Sequence, residues 1–134
     1  MITEELSFDT SSTSFLDITR EVQSFAAKCG ADGLVHVFAP HATAGLALIE
    51  TGSGTESDLA ATIDRLLPAS GGYSHSHGSP GHGRDHVLPA FISPSLTIPL
   101  LDGSLALGTW QSVVLVDTNR DNPRRNVRLS FLPG

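Results

Sequence analysis

Histidine is the side chain whose charge changes near neutral pH, and neutral imidazole is the commonest protein metal ligand. The sequence has six histidines in 134 residues, and four of them, His75, His77, His82 and His86, fall within twelve positions. Three imidazoles with a fourth position left open would make a zinc site of catalytic type. The spacing matches no standard zinc motif: there is no His-Glu-x-x-His and no cysteine pair. A solvated histidine-rich loop accounts for the bare pattern equally well.

A second group stands at the ends of regular elements. His41 follows Pro40 in Pro40-His41-Ala42-Thr43-Ala44-Gly45, where small residues and a glycine allow close approach of backbone to a ligand. Glu50 closes the next apolar run and Asp58 lies near the start of a helix, so one histidine and two carboxylates are available for acid–base work. Polar caps and strand ends are the alternative reading of these three. Gln111 could hydrogen-bond a substrate or a neighbouring subunit. Trp110, the single tryptophan, fits packing or an interface. His36, inside an apolar strand, reads as structural. Cys29, the single cysteine, forms no intrachain disulfide and reads as a small packing residue.

Regular elements must position these groups. Ile2 to Phe8 alternates as a strand. A helix is expected from Arg20 to Cys29, with Thr19 as N-cap, Glu21 in the first turn and Gly30 as the stop; Val22, Phe25 and Ala26 form its apolar stripe. Gly33 to Ala39 and Gly45 to Glu50 read as strands. Ser53-Gly54-Thr55-Glu56 fits a capping box before a helix carrying Leu59, Ile63, Leu66 and Leu67 on one face. Ala69 to Gly83, rich in glycine, serine and histidine, reads as an ordered site loop between two well-patterned halves. A helical turn over Asp85–Phe91, a strand over Leu96–Leu100, a turn at Asp102-Gly103, a long strand over Leu105–Asp117, a turn over Asn119–Pro123 and a last strand over Asn126–Leu132 complete the chain. The implied class is α+β, with mostly antiparallel β-sheets packed with two main helices in one domain over residues 1–134.

Composition narrows the function. The net charge is −6 and there is one lysine, which argues against non-specific nucleic-acid binding, since that neutralises phosphates with basic side chains. Four of the seven arginines, Arg120, Arg124, Arg125 and Arg128, crowd together and leave room for one small anion. No apolar run is long enough to span a bilayer, and the acidic start is unlike a signal peptide, so a cytoplasmic location is expected. Charged residues make up only 16%, below the usual quarter or so; part of the surface is expected to be covered by other copies of the chain.

Taken together, these segments resemble the YjbQ-like family, often described as secondary thiamine-phosphate synthase. The resemblance runs through Pro40–Gly45 with Glu50, then Asp58, Tyr73-x-His75, His86, Ile98-Pro99, Gly103, the run Leu107-Gly108-Thr109-Trp110-Gln111 and Arg124-Arg125. It implies a YjbQ-like fold, a homotrimer with sites near subunit junctions, and weak joining of a pyrimidine methyl diphosphate to a thiazole phosphate with release of pyrophosphate. On that reading His41, Glu50, Asp58 and Gln111 are catalytic, and Thr43, Trp110 and Arg125 bind a small phosphorylated metabolite. His41, His75 and His86 hold a divalent metal, zinc or magnesium. Ala42 and Ser93 depart from the family pattern, as do the added His77 and His82. The same residues also suit a zinc-dependent hydrolase, or a trimeric metal- or metabolite-binding module without catalysis.

Overall fold

The computed structural model describes residues 1–134. Eight strands, β1 (Ile2–Asp9), β2 (Phe15–Asp17), β3 (Gly33–Phe38), β4 (Gly45–Ile49), β5 (Ser95–Leu101), β6 (Ser104–Leu105), β7 (Ser112–Val116) and β8 (Arg124–Pro133), are joined by helices α1 (Thr19–Ala27), α2 (Thr55–Leu66) and α3 (His82–Val87). A single 3-10 turn, Leu88–Ala90, extends α3. Every strand pairing is antiparallel. The strands form a five-stranded sheet, β1-β8-β3-β5-β6, and a three-stranded sheet, β2-β7-β4. The α+β expectation holds.

The sequence explains the layering. Alternation in β8 sends Val127, Leu129 and Phe131 inward, where they meet Val35 and Val37 of β3, Ile98 and Leu100 of β5, and Val22, Phe25 and Ala26 of α1 in one core. The stripe expected for α1 is therefore its buried face. Strand β7 is apolar on both faces because both are covered. Val113 and Leu115 join the main core, while Val114 and Val116 join Ile63, Leu67 and Leu88 in a second core under α2.

Local details differ from expectation at the caps and in one strand. The expected strand over Leu105–Asp117 is two strands, β6 and β7, in different sheets. Residues 106–111 carry the chain across, and Gln111 closes that loop, its Oε1 accepting the Gly108 N–H at 2.8 Å. Thr19 does not cap α1, because its hydroxyl accepts the Val113 N–H and donates to Asp17. At α2 the cap is Gly54, in the left-handed region. Glu56 reaches back to the Gly52 N–H instead of completing a box with Ser53.

Candidate functional site

Helix α3 starts at His82, and four residues later, one turn on, His86 lies on the same face. Their Nε2 atoms are 3.1 Å apart. The chain before the helix folds back so that His75 joins them, its ring centroid 4.1 Å from that of His86 and 5.0 Å from that of His82. One ligand atom from each of the three lies within 4.8 Å of the other two. Two nitrogens on one tetrahedral zinc are about 3.3 Å apart, given bonds of 2.0–2.1 Å, so the His82–His86 spacing suits a shared ion. Nε2 of His75 is buried and has no hydrogen-bond partner. Burial and the neighbouring His86, His77 and His82 hold its pKa below the usual imidazole value, which favours the neutral, metal-ligating form. His77 is exposed, its ring centroid 4.1 Å from that of His75.

The loop is held by close packing. A Cβ on Gly83 would collide with the His75 carbonyl and lie 2.8 Å from Cβ of Tyr73. The Tyr73 hydroxyl donates to the Pro68 carbonyl at 2.9 Å. From the turn after β7, Asp121 Oδ2 meets Nδ1 of His82 at 2.8 Å and the Ser79 N–H at 3.3 Å. Asn119 donates to Asp85, which also accepts from Thr118 at 2.6 Å.

His41 is not in this cluster. It occupies the loop before β4, where its Nε2 accepts the Asn126 N–H at 2.9 Å. Burial and the Arg125 guanidinium hold its pKa below the ordinary value, against the pull of the Asn126 carbonyl, Asp117 and Glu5. That contact occupies Nε2 of His41, and the three histidines whose ring nitrogens come within reach of one ion are His75, His82 and His86, where the expected set is His41, His75 and His86. Nor is Arg125 free for phosphate. It is 2% exposed and grips Asp117 through two bonds, at 2.7 and 2.9 Å, with a third to Thr43 Oγ1 at 2.7 Å. Thr43 is buried and turned to that guanidinium, and Thr10 donates to the same aspartate at 2.6 Å. Two of the three expected substrate-binding residues, Thr43 and Arg125, thus serve a buried ion pair.

The remaining expected residues lie at the other end of the small sheet. Ile49 pairs with Ser112, whereas Gly45 pairs with Val116. Glu50 and Gln111 therefore adjoin one end of β7, and Asp117, which leads to the histidine side, adjoins the other. The five residues of β7, Ser112–Val116, separate Gln111 from Asp117, six steps of extended chain or about 20 Å. Asp58 is exposed in the first turn of α2, and Trp110 stands 72% exposed on the crossing loop. One chain thus separates His75, His82 and His86 from Glu50 and Gln111. Asp121 is the site residue that the sequence reading missed; a partner for His82 thirty-nine positions away leaves no local spacing to read.

Comparison with known proteins agrees with this fold. The family model described as UPF0047 protein YjbQ-like matches residues 4–134. A UPF0047 protein of Mycobacterium tuberculosis is 56% identical over 136 aligned positions, covering 100% of both chains. Another, from Methanothermobacter thermautotrophicus, is 30% identical and covers 96% of this chain and 90% of its own. A crystal structure of a hypothetical protein from Aeropyrum pernix superposes with a TM-score of 0.89 at 29% identity, covering 100% of both chains. A YbjQ-like protein of unknown function from Sulfolobus solfataricus shares the fold with a TM-score of 0.91 at 22% identity, covering 99% of this chain and 97% of its own. From its fourth residue to its last, the chain belongs to the YjbQ/UPF0047 family.

Proposed function

We propose that His75, His82 and His86 hold a divalent metal, zinc by the chemistry of the donors, and that the protein is a metal-dependent hydrolase of a small phosphorylated metabolite. The observation carrying this reading is the 3.1 Å approach of two Nε2 atoms beside the orphaned Nε2 of His75. Two imidazole lone pairs do not face each other at that distance without a proton or a cation between them. An all-imidazole set suits zinc over magnesium, which prefers oxygen. Such an ion supplies Lewis acidity and lowers the pKa of a water to about 7. His77, exposed beside His75, is placed to pass a proton to and from the site. Exposed Arg120 lines a neighbouring cleft of about 310 Å³ and offers one cation for a phosphate, whereas Arg84 on the same cleft is already paired with Asp64 at 2.9 Å and Asp85 at 3.3 Å.

Displacement of pyrophosphate from a pyrimidine methyl diphosphate by a thiazole nitrogen is the second reading. The family resemblance implies it, and exposed Trp110, a flat surface on which a heterocycle can stack, favours it. In that reaction the new carbon–nitrogen bond replaces a carbon–oxygen bond, and the diphosphate leaves with the electron pair. A homotrimer that set the Glu50–Gln111 end of one copy against the histidines of the next would unite the two groups. The apolar residues on the outer surface, among them Leu34, Phe38 and Leu132, are what such an assembly would cover.

The test is metal content after zinc reconstitution and dialysis, followed by turnover with and without the metal. About one zinc per chain is expected in wild type and loss of tight binding in His75→Ala, His82→Ala and His86→Ala. Zinc-dependent release of inorganic phosphate or alcohol supports the hydrolase; joining of the two thiamine precursors supports the synthase. A wild type that takes up no zinc, or variants that all retain it, would overturn the metal reading.

A further inference from the structure

Resting on the metal reading above, we infer that Asp121 is a positioning residue for that centre, the outer carboxylate that fixes His82 in the tautomer able to bind the ion. His82 is half-buried and Asp121 exposed, and Asp121 Oδ2 lies 2.8 Å from Nδ1 of His82. A carboxylate accepts only, so the proton sits on Nδ1 and Nε2 is left as a bare lone pair. That is the nitrogen facing His86 at 3.1 Å. Metal-ligating histidines characteristically donate their second ring N–H to a carboxylate or carbonyl, which sets ring orientation and raises ligand basicity.

Three further observations make this a built arrangement. The Asn119 amide, 3.4 Å from the same Nδ1, has a better acceptor in Asp85 Oδ2 at 3.1 Å. Its own oxygen takes the Asp121 N–H at 3.0 Å and the Asn122 N–H at 3.2 Å, which fixes the carboxylate's backbone. Asp121 also accepts the Ser79 N–H, so one oxygen orients both His82 and the loop carrying His75. Gly78 leaves the space: with φ at +86°, any Cβ there would lie 2.7 Å from the His82 ring and 3.1 Å from Asp121 Oδ2. In the absence of an ion the bare Nε2 of His82 accepts from Nε2–H of His86. An ion at the site must displace that proton.

The experiment compares wild type, Asp121→Asn and Asp121→Ala by competitive zinc titration and by long-range 1H–15N spectra that report imidazole tautomers. Expected in wild type without metal is His82 with its proton on Nδ1. Asp121→Ala should lose that tautomer preference and bind zinc about 10–100-fold more weakly. Asp121→Asn, whose amide oxygen still accepts, should keep the tautomer and lose less affinity. Melting curves show whether each variant is folded. Wild-type zinc binding with unchanged affinity in Asp121→Ala would reduce the contact to a surface ion pair and overturn this inference alone. A wild type that binds no zinc would overturn the metal reading and this inference with it. Equal losses in both variants with an unchanged His82 tautomer would assign Asp121 to loop anchoring through Ser79 and also refute the role.

Discussion

Replacing Arg125 by Met should unfold the protein at a much lower temperature before it affects any ligand. The guanidinium and the Asp117 carboxylate are almost wholly enclosed, with 2% and 0% of their side chains exposed. Two charge-assisted hydrogen bonds join them, and Thr10 and Thr43 occupy further positions on each partner. Removing one member of such a pair leaves an uncompensated buried charge and costs about 3–5 kcal/mol. A chain of 134 residues unfolds with an entropy of about 0.28 kcal/mol per kelvin, so Tm should fall by about 11–18 °C. Asp117→Asn should fall in the same direction. The double variant Arg125→Met/Asp117→Leu should melt above either single one, because two apolar groups leave no stranded charge. Circular dichroism melts measure all three. Single variants melting within about 3 °C of wild type, with weakened binding of inorganic phosphate, would refute the structural assignment and restore Arg125 as an anion-binding residue.

Gly83→Ala should leave the cores intact yet abolish tight zinc binding, since the added methyl strikes the His75 carbonyl; wild-type zinc affinity would show that the loop yields at no cost. His41 has a folded pKa below its unfolded value of about 6.5. Its contribution to stability is therefore present above pH 6.5 or so and is lost as pH falls through the folded value. His41→Gln, which keeps an acceptor for the Asn126 N–H, should flatten the fall in urea-derived stability between about pH 7 and pH 5; parallel curves would contradict this. Trp110, the single tryptophan, is exposed in one chain, so its fluorescence should shift to shorter wavelength as the protein is concentrated into oligomers; an emission maximum independent of concentration would remove this loop from any subunit interface.

What could be read from the sequence was set by the range of the interaction. Strand β8 and the face of α1 were legible because alternation and the 3.6-residue period are local consequences of burial. The break between β6 and β7 was not. Leu105 and the apolar run Val113–Val116 look continuous, and only the change of sheet, closed by Gln111 on Gly108, separates them. Caps failed for a related reason: Thr19 has the right chemistry, but the Val113 N–H ninety-four positions away competes for its oxygen. In the site, the clustering of histidines along the chain was legible, and the rings of His75 and His86 do lie 4.1 Å apart. Leaving His41 out of the cluster required knowing that the Asn126 N–H of β8 holds its ring while α3 brings His82 beside His86. Arg125 misled most: an arginine after a turn suggests an anion, yet the anion it meets is the chain's own Asp117.

The turn after β7 reaches three ways: Asp117 into the arginine pair, Asn119 to Asp85 under α3, and Asp121 to His82. The amides of Asp117 and Asn119, bonded to the Ser14 carbonyl and the Asp117 carboxylate, should therefore exchange with deuterium only through global unfolding, while those of 74–78, with few tertiary hydrogen bonds, should exchange through local opening. A metal centre built this way has one fixed wall and one hinged wall. Release to a chelator would then run at a rate set by the opening of the segment around His75 and His77, and would stop accelerating once chelator is in excess. The residues lining that hinge, more than the ligands themselves, would decide how long the protein keeps its ion.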